Sequence, residues 1–182
     1  MSSSRFPKKV LTKVNGIPLL QHAIDMCSKA KNVDHVIVAT SLDNSDDPIS
    51  TFCKNASVDC FRGDLHNVAD RFAGLLRLHR CEAFVRICGD SPIDRSWLID
   101  EMIQVYTEQK LDIVTNTFER TYPIGYSVEL INSKTFFEQL KKINAFDCEH
   151  FTQFFYNNAS SFRLISMKLG IDCSSVHLAI DE

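Results

Sequence analysis

The chain has 182 residues, 45% hydrophobic and 24% charged, with a formal net charge of -3. That is enough apolar sequence for one buried core, so residues 1–182 read as a single globular domain. No uncharged apolar run is long enough to cross a membrane, and no apolar segment follows the basic head as it would in a signal peptide.

The head itself reads Met1-Ser2-Ser3-Ser4-Arg5-Phe6-Pro7-Lys8-Lys9. Four cations, Arg5, Lys8, Lys9 and Lys13, precede the first acid, Asp25. A local cationic loop on a mildly acidic protein suits a small anionic ligand better than a long polyanion, so nucleic acid is not the expected partner. Pro7 interrupts the amphipathic helix that a transit peptide would need.

Helix and strand patterns then alternate. A helix is predicted from Ile17-Pro18, with Leu19, Leu20, Ala23, Ile24, Cys27 and Ala30 on one side. The β-branched run His35 to Thr40 reads as a buried parallel strand. A helix from about Asp47, a strand over Val58 to Phe61, a helix over Asn67 to Leu78 and a strand over Ala83 to Cys88 follow. Ser96 to Glu108 is helical, and Asp112 to Asn116 extended. The last third holds a strand from Ser127 to Ile131, helices near 133–142 and 147–157, and strands near 162–168 and 176–180. Repeated strand–helix–strand units imply a doubly wound, mostly parallel sheet covered by helices. The seven cysteines (Cys27, Cys53, Cys60, Cys81, Cys88, Cys148, Cys173) form no C-x-x-C pair, which speaks for reduced thiols in a cytoplasmic protein.

Ligands of such sheets bind at the carboxyl ends of the strands. The predicted ends carry Thr40 and Ser41, Arg62-Gly63-Asp64, Gly89-Asp90-Ser91-Pro92, Asn116 and Thr117, and Asp181-Glu182. Acids at three of these ends suggest a site for a metal and a phosphate. Gly89 permits a tight turn after a buried strand, and Asp90 then projects from the tip. Magnesium takes one or two carboxylates and fills its other positions with water and phosphate oxygens. Asp90 and Asp181 would supply that pair if their strands are neighbours. Asp94 reads instead as a helix cap. Arg86, inside an apolar run, requires a buried carboxylate partner. Arg71 can pair with Asp70, and Glu149-His150 falls near a helix start. Neither G-x-G-x-x-G nor G-x-x-x-x-G-K-[ST] occurs.

The run Ser3-Ser4-Arg5-Phe6-Pro7-Lys8-Lys9-Val10-Leu11 resembles the S-S-R-[LF]-P-x-K-x-[LI] signature of sugar-activating cytidylyltransferases, which include the CMP-sialic acid and CMP-Kdo synthetases. Gly16-Ile17-Pro18, Phe61-Arg62-Gly63, Val68-Ala69-Asp70-Arg71-Phe72, Arg86-Ile87-Cys88-Gly89-Asp90-Ser91-Pro92, Tyr122-Pro123-Ile124-Gly125, Glu149-His150-Phe151-Thr152 and Ala179-Ile180-Asp181-Glu182 are similar, in collinear order, to the spore coat polysaccharide biosynthesis branch. The resemblance implies the fold of nucleotide-diphospho-sugar transferases (GT-A-like, Rossmann-like). It implies transfer of CMP from CTP to a sugar or sugar acid, release of pyrophosphate, Mg2+ as cofactor and a homodimer joined through the 120–145 region. It assigns Ser4, Arg5, Lys9, Thr40 and Asp90 to the nucleotide, with Lys9, Arg5 and Asp90 catalytic. Asp90 and Asp181 fall to the metal, and Arg62, Tyr122, Glu129 and His150 to the acceptor.

Two departures accompany the resemblance. Family members carry a hydrophobic strand and an A-R-M-G-type loop ahead of the signature, and a closing helix after the Asp-Glu pair. The fold is therefore expected to lack its first strand and the chain to be incomplete at both ends. The alternatives are an inactive nucleotide-binding or dimerisation fragment, and a glycosyltransferase on a related fold. The absence of an Asp-x-Asp motif counts against the latter.

Overall fold

A computed structural model describes residues 9–143 and 148–179. A single 3₁₀ turn (Lys9–Leu11) leads into β1 (Lys13–Val14), β2 (Ile17–Pro18) and α1 (Leu19–Lys29). There follow β3 (Ile37–Ser41), a turn at Asn44–Asp46, α2 (Asp47–Asn55), β4 (Asp59–Gly63) and α3 (Val68–Leu78). The chain continues through β5 (Ala83–Arg86), α4 (Ser96–Gln109), β6 (Ile113–Thr115) and β7 (Glu129–Asn132). It ends with α5 (Ser133–Gln139), α6 (Thr152–Asn157) and β8 (Leu164–Ser166).

The alternating α/β pattern expected from the sequence is therefore present, with most strands shorter than their apolar runs. Two local differences stand out. Val14-Asn15-Gly16-Ile17 forms a hairpin ahead of α1, with Lys13 opposite Pro18 and Val14 opposite Ile17. Asn15 and Gly16 take φ of 51° and 80°, the left-handed conformation that an Asn-Gly pair adopts most readily in a two-residue turn. The strand expected near 176–180 is reduced, among the described residues, to one bridge between Ile124 and His177. Only the backbone of Ile124 exchanges bonds there, with Val176 and Leu178.

The strands pair in three groups: β1 with β2, β3 with β4, and a four-stranded sheet in the order β5-β7-β6-β8. β3 and β4 run parallel, from Ile37 opposite Asp59 to Ser41 opposite Gly63. β6 and β8 are also parallel, from Ile113 opposite Leu164 to Thr115 opposite Ser166. A doubly wound, mostly parallel sheet was the expectation, and the β3–β4 and β6–β8 ladders are parallel. Apolar runs state that a strand is buried, but not which ladder it joins.

The chain divides into two compact units, residues 1–35, 85–130 and 163–182 in one, and 36–84 and 131–162 in the other. In the first, α1 and α4 pack together, burying Leu19, Met26, Leu98, Ile99 and Met102 almost completely, as are Ile113 and Val114 of β6. Asp100 of α4 fastens the end of α1 by accepting the amide hydrogens of Lys31 (3.0 Å) and Asn32 (2.9 Å). The second unit is centred on phenylalanines. Phe136 and Phe151 are fully buried, and the rings of Phe72, Phe84, Phe136 and Phe151 meet with centroids 5.3–5.6 Å apart. Such tilted and edge-on pairs stabilise beyond the area they bury. The helix α3 is capped by Asn67, whose side chain accepts from the Asp70 amide while its own amide donates to the Asp70 carboxylate, both at 2.9 Å. No helix among the described residues is long and apolar enough to span a membrane.

Phe136 is fully buried and meets the rings of Phe84, Phe137 and Phe151. Phe136→Ala is expected to lower stability by about 3–5 kcal/mol in urea unfolding, the usual cost of emptying a buried aromatic site.

Candidate active site

The described residues bring two of the predicted site residues together. The Lys9 ammonium lies 2.8 Å from Asp90 Oδ2, with the lysine side chain 10% exposed and the aspartate 31%. Both ends are placed by local chemistry. Lys9 opens the 3₁₀ turn, whose Thr12 amide bonds back to the Lys9 carbonyl, and the Thr12 carbonyl receives the Leu19 amide at the start of α1. The Asn-Gly hairpin thus returns the chain beside its own beginning. Asp90 lies in the turn that follows β5. A Cβ at Gly89 would come within 3.2 Å of Leu20 Cδ1 on α1, so a side chain there would press on that helix.

The turn is held from beneath by Arg95, which is fully buried. Its Nη1 donates to the carbonyls of Ser91 (3.2 Å) and Ile93 (2.9 Å), while Nε and Nη2 have no partner among the described residues. Burial pulls the guanidinium below its ordinary pKa, with Cys27, Cys88, Tyr126 and Asp90 acting in the opposite sense. Sequence reading passed over Arg95. The available signal was its position, because a cation at the start of a helix opposes the macrodipole and needs some other reason to be there. Cys88, next to the turn, is an unsuitable nucleophile since burial pushes its thiol pKa up.

Arg86 has the buried carboxylate its position demanded. It pairs with Glu129 at the start of β7, and Glu129 is 4% exposed. The Thr117 hydroxyl lies 3.5 Å from the other carboxylate oxygen. Glu129 thus holds Arg86 through one carboxylate oxygen and lies within reach of Thr117 through the other. Tyr122 is buried, and burial raises its phenol pKa. Asn116, one of the strand-end residues, is fully buried and closes a loop, donating to the Tyr126 carbonyl (2.7 Å) and accepting from the Val128 amide (2.8 Å).

Thr40, Arg62 and His150 belong to the second unit. Thr40 donates its hydroxyl to Asp46 (2.7 Å), which also accepts from the Ser41 amide and hydroxyl. Arg62 braces the same segment, donating to the carbonyls of Ser41 (2.7 Å) and Asp43 (2.9 Å) and pairing with Asp47 (2.7 Å). Arg71 donates to the Asp64 carbonyl (2.6 Å). His150 is exposed two residues before α6. Ser4, Arg5 and Asp181 lie outside the described residues.

Among the described residues no cluster of three or more His, Cys, Asp or Glu side chains could hold a metal ion. A closed zinc site is therefore unsupported by this donor set. Asp90, a hard oxygen donor partly open to solvent, fits an ion of the magnesium type, which takes one or two carboxylates and shares itself with substrate phosphates.

Two outcomes follow from these contacts. Arg86→Met leaves the Glu129 carboxylate buried without its cation and should cost about 3–5 kcal/mol in urea unfolding, most of it recovered in the Arg86→Met/Glu129→Gln double variant. Asp94 accepts from the Ser96 amide (3.0 Å) and hydroxyl and pairs with Lys29 (2.9 Å). The Ser96 amide first, and then Lys29, bring its carboxyl down from 3.8 to about 2. A carboxyl lowered by folding stabilises the protein above its unfolded pKa and loses that effect as pH falls through the folded value. Asp94→Asn should therefore be less stable than the parent at pH 6, with the gap in urea midpoint closing between about pH 4 and pH 2.

The model of the Cytidylyltransferase family matches residues 1–181. An uncharacterised protein of Methanocaldococcus jannaschii is 29% identical over 171 residues, covering 91% of this chain and 68% of that protein. The spore coat polysaccharide biosynthesis protein SpsF of Bacillus subtilis is 28% identical over 171 residues, 90% of this chain and 70% of SpsF. A solved cytidylyltransferase from Leptospira borgpetersenii superposes with a TM-score of 0.92 at 25% identity, over 100% of this chain and 78% of that one. A signature-bearing head whose lysine meets the aspartate after β5, in a chain matched to one family from residue 1 to residue 181, has a single consistent assignment: the protein belongs to the cytidylyltransferase family and is a nucleotidyltransferase.

Proposed function

We propose that the chain transfers CMP from CTP to a sugar or sugar acid and releases pyrophosphate, as a step in making a surface polysaccharide or other glycan. The observation that carries this reading is the meeting of Lys9 and Asp90 at 2.8 Å, a phosphate-type cation beside a metal-type carboxylate. The likeness to SpsF supports the polysaccharide context.

In this reading the acceptor hydroxyl attacks the α-phosphorus of CTP. A new oxygen–phosphorus bond forms, the bond to the β-phosphate oxygen breaks, and the hydroxyl proton is lost. Little covalent chemistry falls to the protein, whose task is positioning and offsetting charge. Lys9 and Arg5 would neutralise phosphate oxygens, with Ser4 and Thr40 as further nucleotide ligands. Asp90, with Asp181, would hold Mg2+. Bound there, the ion supplies Lewis-acid stabilisation of the phosphates and of the departing pyrophosphate. Arg95 acts on the turn rather than on substrate, fixing the Ser91 and Ile93 carbonyls so that Asp90 keeps its direction.

The test is pyrophosphate release from CTP with Mg2+ across a panel of sugars and sugar acids. Release is expected only when metal and a matching acceptor are both present. Asp90→Asn should lower it by about 10²–10³-fold, the scale on which removal of one charge-stabilising group acts. CTP-dependent thermal stabilisation that survives Asp90→Asn, with no turnover on any acceptor, would instead identify a non-catalytic nucleotide-binding module.

A further inference from the structure

The Lys9–Asp90 pair joins the cation assigned to the triphosphate with the carboxylate assigned to the metal, and in the structure the two are in direct contact. An ammonium 2.8 Å from Asp90 Oδ2 occupies the approach that a divalent ion would use, since an ion bonded to that oxygen at about 2.0–2.1 Å would stand against a like charge. Among the described residues, the other oxygen, Oδ1, meets the Ser91 hydroxyl at 3.4 Å, a long contact. A second cation acts in the same direction. Arg95, buried beneath the turn, interacts electrostatically with Asp90, and its Nε and Nη2 are not engaged by any acceptor among the described residues. Asp90 is thus faced by Lys9 from the head and by Arg95 from α4's start.

We propose that Lys9 is the resident counter-ion of Asp90 in the nucleotide-free protein, and that a nucleoside triphosphate takes over this lysine and so releases the carboxylate to a divalent cation. This rests on the reading of Asp90 as a metal ligand and Lys9 as a phosphate ligand given above. The physical sequence is an exchange of partners. Lys9, with only 10% of its side chain exposed, leaves Asp90 at little cost when another anion replaces it, and the triphosphate is that anion. The phosphate charges also offset the field of Arg95. Metal binding is weak before the nucleotide arrives and strong afterwards, and by linkage the metal tightens nucleotide binding by the same factor. Chelation of the ion by phosphate alone would also couple the two ligands. It would not, however, make the empty protein's metal affinity depend on Lys9.

That difference is the test. Mn2+ binding, read by the electron paramagnetic resonance signal of the free ion, is measured on the chain without nucleotide. Lys9→Gln is expected to bind Mn2+ about tenfold more tightly than the parent, while Lys9→Arg, which keeps a cation at the position, stays near the parent. The same Lys9→Gln variant should bind CTP more weakly. On the unaltered chain, CTP should raise Mn2+ affinity by about tenfold or more, a measurement that needs no variant to fold. Equal Mn2+ affinity of parent and Lys9→Gln without nucleotide overturns the exchange. So does equal affinity of the unaltered chain with and without CTP. Asp90→Asn in the Lys9→Gln background separates the two levels of the argument. If it abolishes the binding, Asp90 is the ligand whatever the fate of the exchange. Unchanged binding removes both the ligand assignment and the exchange built on it.

Discussion

A carboxylate lies at the start of β7 with 4% of its surface exposed, and Arg86 of β5 neutralises it. The pair joins neighbouring strands of the four-stranded sheet, and β5 is the strand whose end leads into Gly89 and Asp90. Removing charges from water is costly, so the arrangement persists only while both partners are present. Thr117 lies within reach of the same carboxylate, and Asn116 beside it ties the 126–128 segment to the end of β6. The turn that carries the site is therefore anchored to a sheet whose internal charge is already balanced.

On top of that anchor the turn is shaped by contacts of another kind. Leu20 of α1 packs close against position 89, within 3.2 Å of where a Cβ would stand, and Arg95 gathers the carbonyls of Ser91 and Ile93. α1 is itself fixed, at one end by the Asn-Gly hairpin and the Thr12–Leu19 bond, and at the other by Asp100 and the Lys29–Asp94 pair. Lys9 and Asp90 are thus delivered by segments that α1 holds together. A pair of charges placed this way needs few further groups to hold it, because its position is decided by backbone and apolar contacts rather than by flexible surface chains.

Much of the polar chemistry that looked available to ligands is spent inside the protein. Thr40 is committed to Asp46, Arg62 to Ser41, Asp43 and Asp47, and Glu129 to Arg86. The strand-end rule directs attention to the edges of the sheet, yet a polar residue at an edge can serve a loop as readily as a substrate. What separates the two is whether the hydrogen-bonding capacity is already filled. Asp90 keeps a partly open carboxylate with one strong partner, and that sets it apart from Glu129 and Asp46.

From the sequence alone came the α/β class, the order of nearly all elements, the requirement that Arg86 find a buried carboxylate, and Asp94 at the start of α4. The family's motifs added Lys9 and Asp90 as members of one site. These were legible because periodicity, turn chemistry and the cost of burying an unpaired charge act locally or apply wherever the chain folds. The identity of Arg86's partner was not, since Glu129 is 43 residues away and reaches it through strand order. Nor was Arg95 beneath the turn, or the diversion of Thr40 and Arg62 into structural bonds. Those depend on which strands pair and which side chains the packing encloses, and only the tertiary structure makes that selection, because distance along the chain carries no record of distance in space.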